Sequence, residues 1–131
     1  MSYFTQSGHV RPELLDKDAR EQAQAFINRQ RRQETLSSSQ LRRFYNEFKR
    51  LKTRFDNDEN KDFAAIKPLI KMQKSKSAYA SNPNKPKIPK AFHKFIEKNV
   101  DSIQGPEDFN AFMLHFEAVV GFFYAEGIPN N

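Results

Sequence analysis

The chain has 131 residues, 37% of them hydrophobic and 13% aromatic, which suits one domain able to bury about two-thirds of its unfolded surface. It has no cysteine, so disulfides and thiolate chemistry are excluded and a reducing compartment fits. The net charge of +6 is unevenly spread. Residues 29–98 carry nineteen Lys/Arg against seven Asp/Glu (+12), residues 99–131 five acids and neither Lys nor Arg (−5), and residues 1–28 three bases and four acids (−1). Such segregation points to a basic surface for an anionic partner and a separate acidic one.

The first residues, MSYFTQSGHVRPELLDKD, lack a basic segment followed by an apolar run, so no secretory signal is expected. The longest uninterrupted apolar run, Ala118 to Ala125, contains Gly121 and is far below the ~20 residues of a membrane span. A cytoplasmic protein without membrane contact is expected. Residues 1–15 have no sustained period and contain Gly8 and Pro12, and are read as a flexible N-terminal arm. Asp16 to Gln33 reads as a polar helix with a thin stripe of Ala19, Ala23, Phe26 and Ile27, ending in Arg29, Arg31 and Arg32.

The stretch Ser37 to Phe55 organises the rest. Leu41, Phe44, Tyr45, Phe48, Leu51 and Phe55 recur at steps of three and four, one face of a helix. At about 100° per residue, Arg43, Arg50 and Arg54 gather on the opposite face, with Arg42 and Lys49 along one flank. Ser37 and Gln40 form a capping-box pair, with Leu36 and Leu41 at the positions of a hydrophobic staple.

Asp56 to Asp62, DNDENKD, alternates like the opening of a calcium loop. It fails where the chemistry is demanding, with Lys61 in place of the turn glycine and Lys67 in place of the last glutamate. An Asx-rich helix junction is the expectation. Lys61 to Ala80 then reads as a helix with Phe63, Ile66, Leu69, Ile70 and Met72 or Gln73 inward, and Lys67, Lys71, Lys74 and Lys76 outward. Pro68 must start or kink its regular part. SNPNKPKIP, residues 81–89, is a connector. A helix from near Lys90 buries Phe92, Phe95, Ile96 and Val100 or Ile103, with Lys90, Lys94 and Lys98 outside.

The last helix opens on Gly105, Pro106, Glu107 and Asp108, with acids facing the positive end of the helix dipole. Phe109, Phe112, Met113, Phe116, Val119, Val120, Phe123 and Tyr124 follow at three-four spacing, a stripe wide enough to be the centre of a core. Gly127 and Pro129 end it. With no strand-like alternation, the fold class is all-α. The arm, 1–15, precedes a single-domain bundle of about five helices over 16–127, and 128–131 form a C-terminal tail.

No enzyme is expected. Four glycines at 8, 105, 121 and 127 make no phosphate-cradling loop, and His9, His93 and His115 show no metal-ligand spacing, so neither metal nor cofactor is expected. His115 and Glu117, two residues apart, face different ways, and no serine stands beside a base. Thirteen Phe and four Tyr are mostly core stripes. Tyr79, after the lysines of KSKSAYAS, is a candidate for stacking on a base or sugar, or for capping the core.

The segments LRRFYNEFKRLK, MQKSKSAYA and PEDFNAFMLHFEAVVGFFY together resemble the small all-helical subunit of type III-A CRISPR interference complexes, the Csm effector, over roughly residues 37 to 126. The matching residues are Leu41, Arg42, Arg43 and Phe44; then Lys74, Lys76, Ala78, Tyr79 and Ala80; then Asp108, Phe109 and Phe116 to Val120. The family commonly continues Gly-Arg after Ala-Tyr-Ala, whereas Ser81, Asn82 and Pro83 stand here, and no site is carried over at that point. The resemblance implies a non-catalytic filament subunit. Copies would stack along the complex beside the subunits that hold the guide and line the groove where target RNA pairs with CRISPR RNA. Cleavage would belong to other subunits.

Together these readings make Arg42, Arg43, Lys49, Arg50, Arg54, Lys74 and Lys76 the expected RNA-contacting residues, sequence-independent because base pairing supplies the sequence. CRISPR RNA, target RNA, other Csm subunits and further copies of the chain are the expected partners, with no small-molecule substrate. A protein–protein scaffold without RNA contact is the main alternative. A DNA-binding helical regulator is weaker, because no recognition-helix pattern is visible.

Overall fold

A computed structural model describes residues 2–127. Within them the chain forms α1 (Lys17–Ala25), α2 (Ser38–Asp56), α3 (Phe63–Ala80), α4 (Lys90–Ser102) and α5 (Pro106–Ala125). Short 3₁₀ turns lie at Pro12–Leu15 and Arg32–Glu34, and no strand occurs among the described residues. The fold is all-α with five helices, none long and apolar enough to cross a membrane among the described residues.

α2 forms where its periodicity places it. Ser37 Oγ accepts from the Gln40 backbone N–H at 3.2 Å, satisfying one orphan donor of the first turn. Leu41, Phe44, Phe48, Leu51 and Phe55 are buried, and Tyr45 is half-buried. α3 is capped by Asp62, whose side chain accepts from Ala64 N–H at 3.1 Å. It buries Ile66, Ile70, Gln73, Ser77 and Ala80, while Met72 lies outside. Pro68 stands inside the helix rather than at its start. It faces solvent together with Ala64, the residue whose carbonyl loses its intrahelical donor, so water can take that bond.

The junction between α2 and α3 is built by Asp58. Its two carboxylate oxygens accept from the backbone N–H groups of Asn60 and Asp62, each at 3.1 Å, and these bonds hold its carboxyl below the usual range. This is the Asx-rich junction expected, with Lys61 adopting φ +48°.

Aromatic rings knit the helices together. α3 packs along α4, α1 along α5, and α2 lies against both α5 and α3. Phe26 meets Phe92 edge-on at 5.1 Å and Phe95 at 5.4 Å; Phe95 meets Phe116 at 5.2 Å and Phe48 meets Phe112 at 5.0 Å. Such pairs add about 0.5–1.5 kcal/mol each beyond the area they bury. α5 supplies Phe109, Phe112, Phe116, Val119 and Phe123 to this interior, as its wide stripe implied.

Two expectations are corrected. The helix expected over Asp16 to Gln33 ends at Ala25. Asn28 Oδ1 accepts from Gln30 and Arg31 N–H at 3.1 and 2.9 Å, a local turn that competes with helix. Leu36 N–H then returns to the Phe26 carbonyl at 2.9 Å and closes the loop.

Residues 2–15 do not form an arm apart from the bundle. Tyr3 and Leu14 are buried at 1% and 0% exposure, and the Tyr3 hydroxyl donates to Asn99 Oδ1 of α4 at 2.7 Å. The segment turns at Gly8, φ +88°, with Thr5 N–H donating to the His9 carbonyl and Arg11 N–H to the Tyr3 carbonyl. A turn has no helical period, which is why its two anchors escape a periodicity search. The tail at 128–131, and Pro129 with it, lies outside the described residues.

Candidate nucleic-acid interface

Because α2 turns its apolar stripe inward, its cations are left on the outside in two rows. Arg43, Arg50 and Arg54 are exposed along the flank nearer α3. Arg42 and Lys49 are exposed along the flank of Tyr45, whose ring packs on Phe116 of α5 at 5.2 Å. Lys49 Nζ sits 5.9 Å from the Tyr45 ring centre. Burial raises the Tyr45 pKa, and the Glu117 carboxylate of α5 adds to that rise, so an acid lies close to this flank.

The α3 flank is partly self-neutralised. Glu47 accepts two bonds from Arg50, at 3.2 and 2.8 Å, and lies 3.8 Å from Lys76 Nζ. The Arg50 hydrogen bond is the main reason that the Glu47 carboxyl stays below its usual range. Lys74 reaches across to Asp101 of α4 at 2.6 Å, a bond that lowers the carboxyl pKa and raises that of the ammonium. Among the described residues no ion pair is formed by Arg43, Lys49 or Arg54. Exposed pairs of this kind contribute about 0–1 kcal/mol and are screened by salt, so Arg50, Lys74 and Lys76 can exchange a carboxylate for a phosphate at small cost.

The two charge regions therefore interlock. Besides Lys74 with Asp101, Arg29 of the α1–α2 loop is bonded to Glu126 beyond the end of α5. Of the expected site residues, Arg43, Lys76 and Tyr79 are brought to one cleft of about 320 Å³ between α2 and α3. Tyr79 is 75% exposed and does not cap the core. Lys87 joins them from the connector, positioned because its N–H donates to the Ala80 carbonyl at 2.7 Å. Lys85 and Lys87 follow the point at which the sequence departs from the family pattern and no site was carried over, and no local signal places Lys87 in the cleft. A larger hollow, about 760 Å³, lies between the 26–35 loop and the proline-rich connector, and contains none of the expected site residues.

Two of the three histidines have hydrogen-bond partners for their side chains within the fold. His93 Nδ1 lies 2.7 Å from Ser77 Oγ, and buried His115 bonds through Nδ1 to the Leu14 carbonyl.

The fold and its charge layout define a class: a small helical bundle that carries rows of cations on rigid helices and aromatic packing within. The family model for Csm2 Type III-A matches residues 10–127, and the chain belongs to that family, the small subunits of the type III-A Csm complex. No curated protein and no solved structure is significantly similar to it.

Proposed function

We propose that the chain is a non-catalytic, cytoplasmic subunit of the type III-A complex, stacking in several copies and gripping the RNA backbone without reading its sequence. CRISPR RNA and target RNA are its nucleic-acid partners, and other Csm subunits and further copies of the chain are its protein partners. The observation that supports this best is the outward placement of Arg42, Arg43, Lys49, Arg50, Arg54, Lys74 and Lys76 on helices whose opposite faces are locked into one aromatic core. A guide–target duplex is specified by its own base pairs, so a sheath over it needs phosphate contacts and no base readout. One subunit contributes weak, salt-sensitive binding, and stacking multiplies it.

The salt dependence of binding tests the assignment. Each neutralised phosphate adds about 0.7 to the log–log slope for single-stranded RNA, so replacing Arg43, Lys49 and Arg54 with Gln should flatten it by about 2. An unchanged slope in the triple variant would remove these residues from the interface.

Association between copies is supported by a separate observation. The outer stripe of α5, Glu107, Asn110, Leu114, Glu117, Gly121 and Tyr124, is exposed, holds no base, and leaves Leu114 and Tyr124 36% and 42% accessible. An acidic stripe with apolar knobs complements the cationic flanks of a second copy, in a head-to-tail contact that repeats. Self-association that weakens with rising ionic strength in the absence of RNA, measured by sedimentation, is the expected outcome.

A further inference from the structure

The cleft between α2 and α3 holds more than a backbone contact needs. Its volume, about 320 Å³, is at the lower limit of small-ligand sites, too small for a duplex and suited to one nucleotide. Arg43, Lys76 and Lys87 bring three positive charges to it against the single carboxylate of Glu47, which already serves Arg50 and Lys76. Tyr79 adds a largely exposed ring to the same lining.

Gln73 is the unusual member of the lining. It is 1% exposed, and its Nε2 donates to the Leu69 carbonyl at 3.3 Å. Its Oε1 is buried without a hydrogen-bond partner. A buried acceptor left unpaired costs about 1–3 kcal/mol, so a ligand donor that reaches it gains what folding left unmet. Gln73 is part of the cleft wall, so this unmet acceptor lies at the edge of the space a ligand would fill.

We propose that this cleft takes a single unpaired ribonucleotide, with its base stacked on Tyr79, its flanking phosphates among Arg43, Lys76 and Lys87, and its 2′-hydroxyl donating to Gln73 Oε1. The three groups recognise the three parts of a nucleotide, and none of them reads a base edge. The 2′-hydroxyl is the one donor that separates RNA from DNA at such a site. Stacking on an aromatic ring tolerates any base. The proposal rests on the phosphate-binding reading above, and adds to it a preference for ribose and for an unstacked nucleotide.

The test uses the purified full chain and fluorescently labelled oligonucleotides: single-stranded RNA, DNA of matching base sequence, and the RNA with abasic positions. Wild-type protein should bind RNA about tenfold more tightly than DNA, and Gln73→Leu, with its melting temperature as a check on folding, should erase that ratio. Tyr79→Ala should weaken binding of intact RNA about tenfold at an unchanged salt slope, and leave abasic RNA unaffected. Lys87→Gln should instead flatten the slope by about 0.7. Equal affinity of the wild type for RNA and DNA, or a Tyr79→Ala protein that binds as tightly as the wild type, overturns the proposal whatever the stability of the other variants. If the Arg43, Lys49 and Arg54 triple variant still flattens the slope under that result, the phosphate reading survives without the pocket. If it does not, both fail together.

Discussion

α2 and α5 are of nearly equal length, nineteen and twenty residues, and sit against each other, yet they divide the work of the molecule between them. α2 keeps a narrow apolar stripe and places Arg and Lys around the remainder. α5 is apolar over most of its surface, has no Lys or Arg, and carries acids at its start and on its outer stripe. The difference shows why cations can be held firmly here: the aromatic mass supplied by α5 fixes the axis of α2, so long flexible side chains start from a rigid base. Losing a buried residue from α5 should therefore cost folding, and losing one from the outer face of α2 should cost binding.

Phe116→Ala is the strongest probe of that division. Its ring is fully buried and packs against Tyr45, Phe95 and Phe112, so its removal should cost about 3–5 kcal/mol in chemical denaturation. Arg54→Gln should change stability by less than about 0.5 kcal/mol. Comparable losses in the two variants would break the comparison.

Next in size is Tyr3→Phe, which removes the hydroxyl that donates to Asn99 and leaves that buried oxygen without this donor. A loss of about 1–2 kcal/mol is expected, together with faster proteolysis of residues 2–15.

Acidification sharpens the role of α5 through His115. Burial lowers its pKa below the ordinary 6.5, and the bond to the Leu14 carbonyl only partly opposes this. The unfolded chain then binds the proton more readily than the folded one, so stability should be unaffected above about pH 6.5 and fall as the pH drops below it toward the folded value. A His115→Gln variant should lose that part of the pH dependence in melts taken between neutral and mildly acidic buffer.

Gly121→Ala is the smallest and most pointed change. A Cβ there meets nothing within 4 Å, so the substitution should stabilise the isolated chain by about 0.5–1 kcal/mol. If the outer stripe of α5 is where a second copy docks, the same variant should associate less tightly in sedimentation. Tighter monomers with unchanged association would place the contact elsewhere.

Much of the fold was legible before any coordinates. The capping of Ser37, the recurrence of Phe and Leu along α2, and the Gly-Pro-acid opening of α5 act within a turn or two of helix, so they are written in neighbouring residues; the cap by Asp62 was not, because the expected helix began one residue before it, at Lys61. The outward placement of the seven cations followed from the same arithmetic. Gln73 was half legible: it falls in phase with Ile66 and Ile70, but a polar residue on a buried stripe looks like an error until its partnerless oxygen is seen.

What the amino-acid order by itself determined is which face of each helix is wet, because burial period and caps are local properties. Only the tertiary structure decided which distant groups meet: Tyr3 with Asn99, Lys74 with Asp101, Arg29 with Glu126, and Arg43, Gln73, Lys76, Tyr79 and Lys87 around one cleft. The physical reason is that helix periodicity sets rotation about an axis and says nothing of how axes cross. Crossing is set by how the phenylalanines of α2 to α5, with Phe26 just after α1, pack together, a property of the assembled core alone.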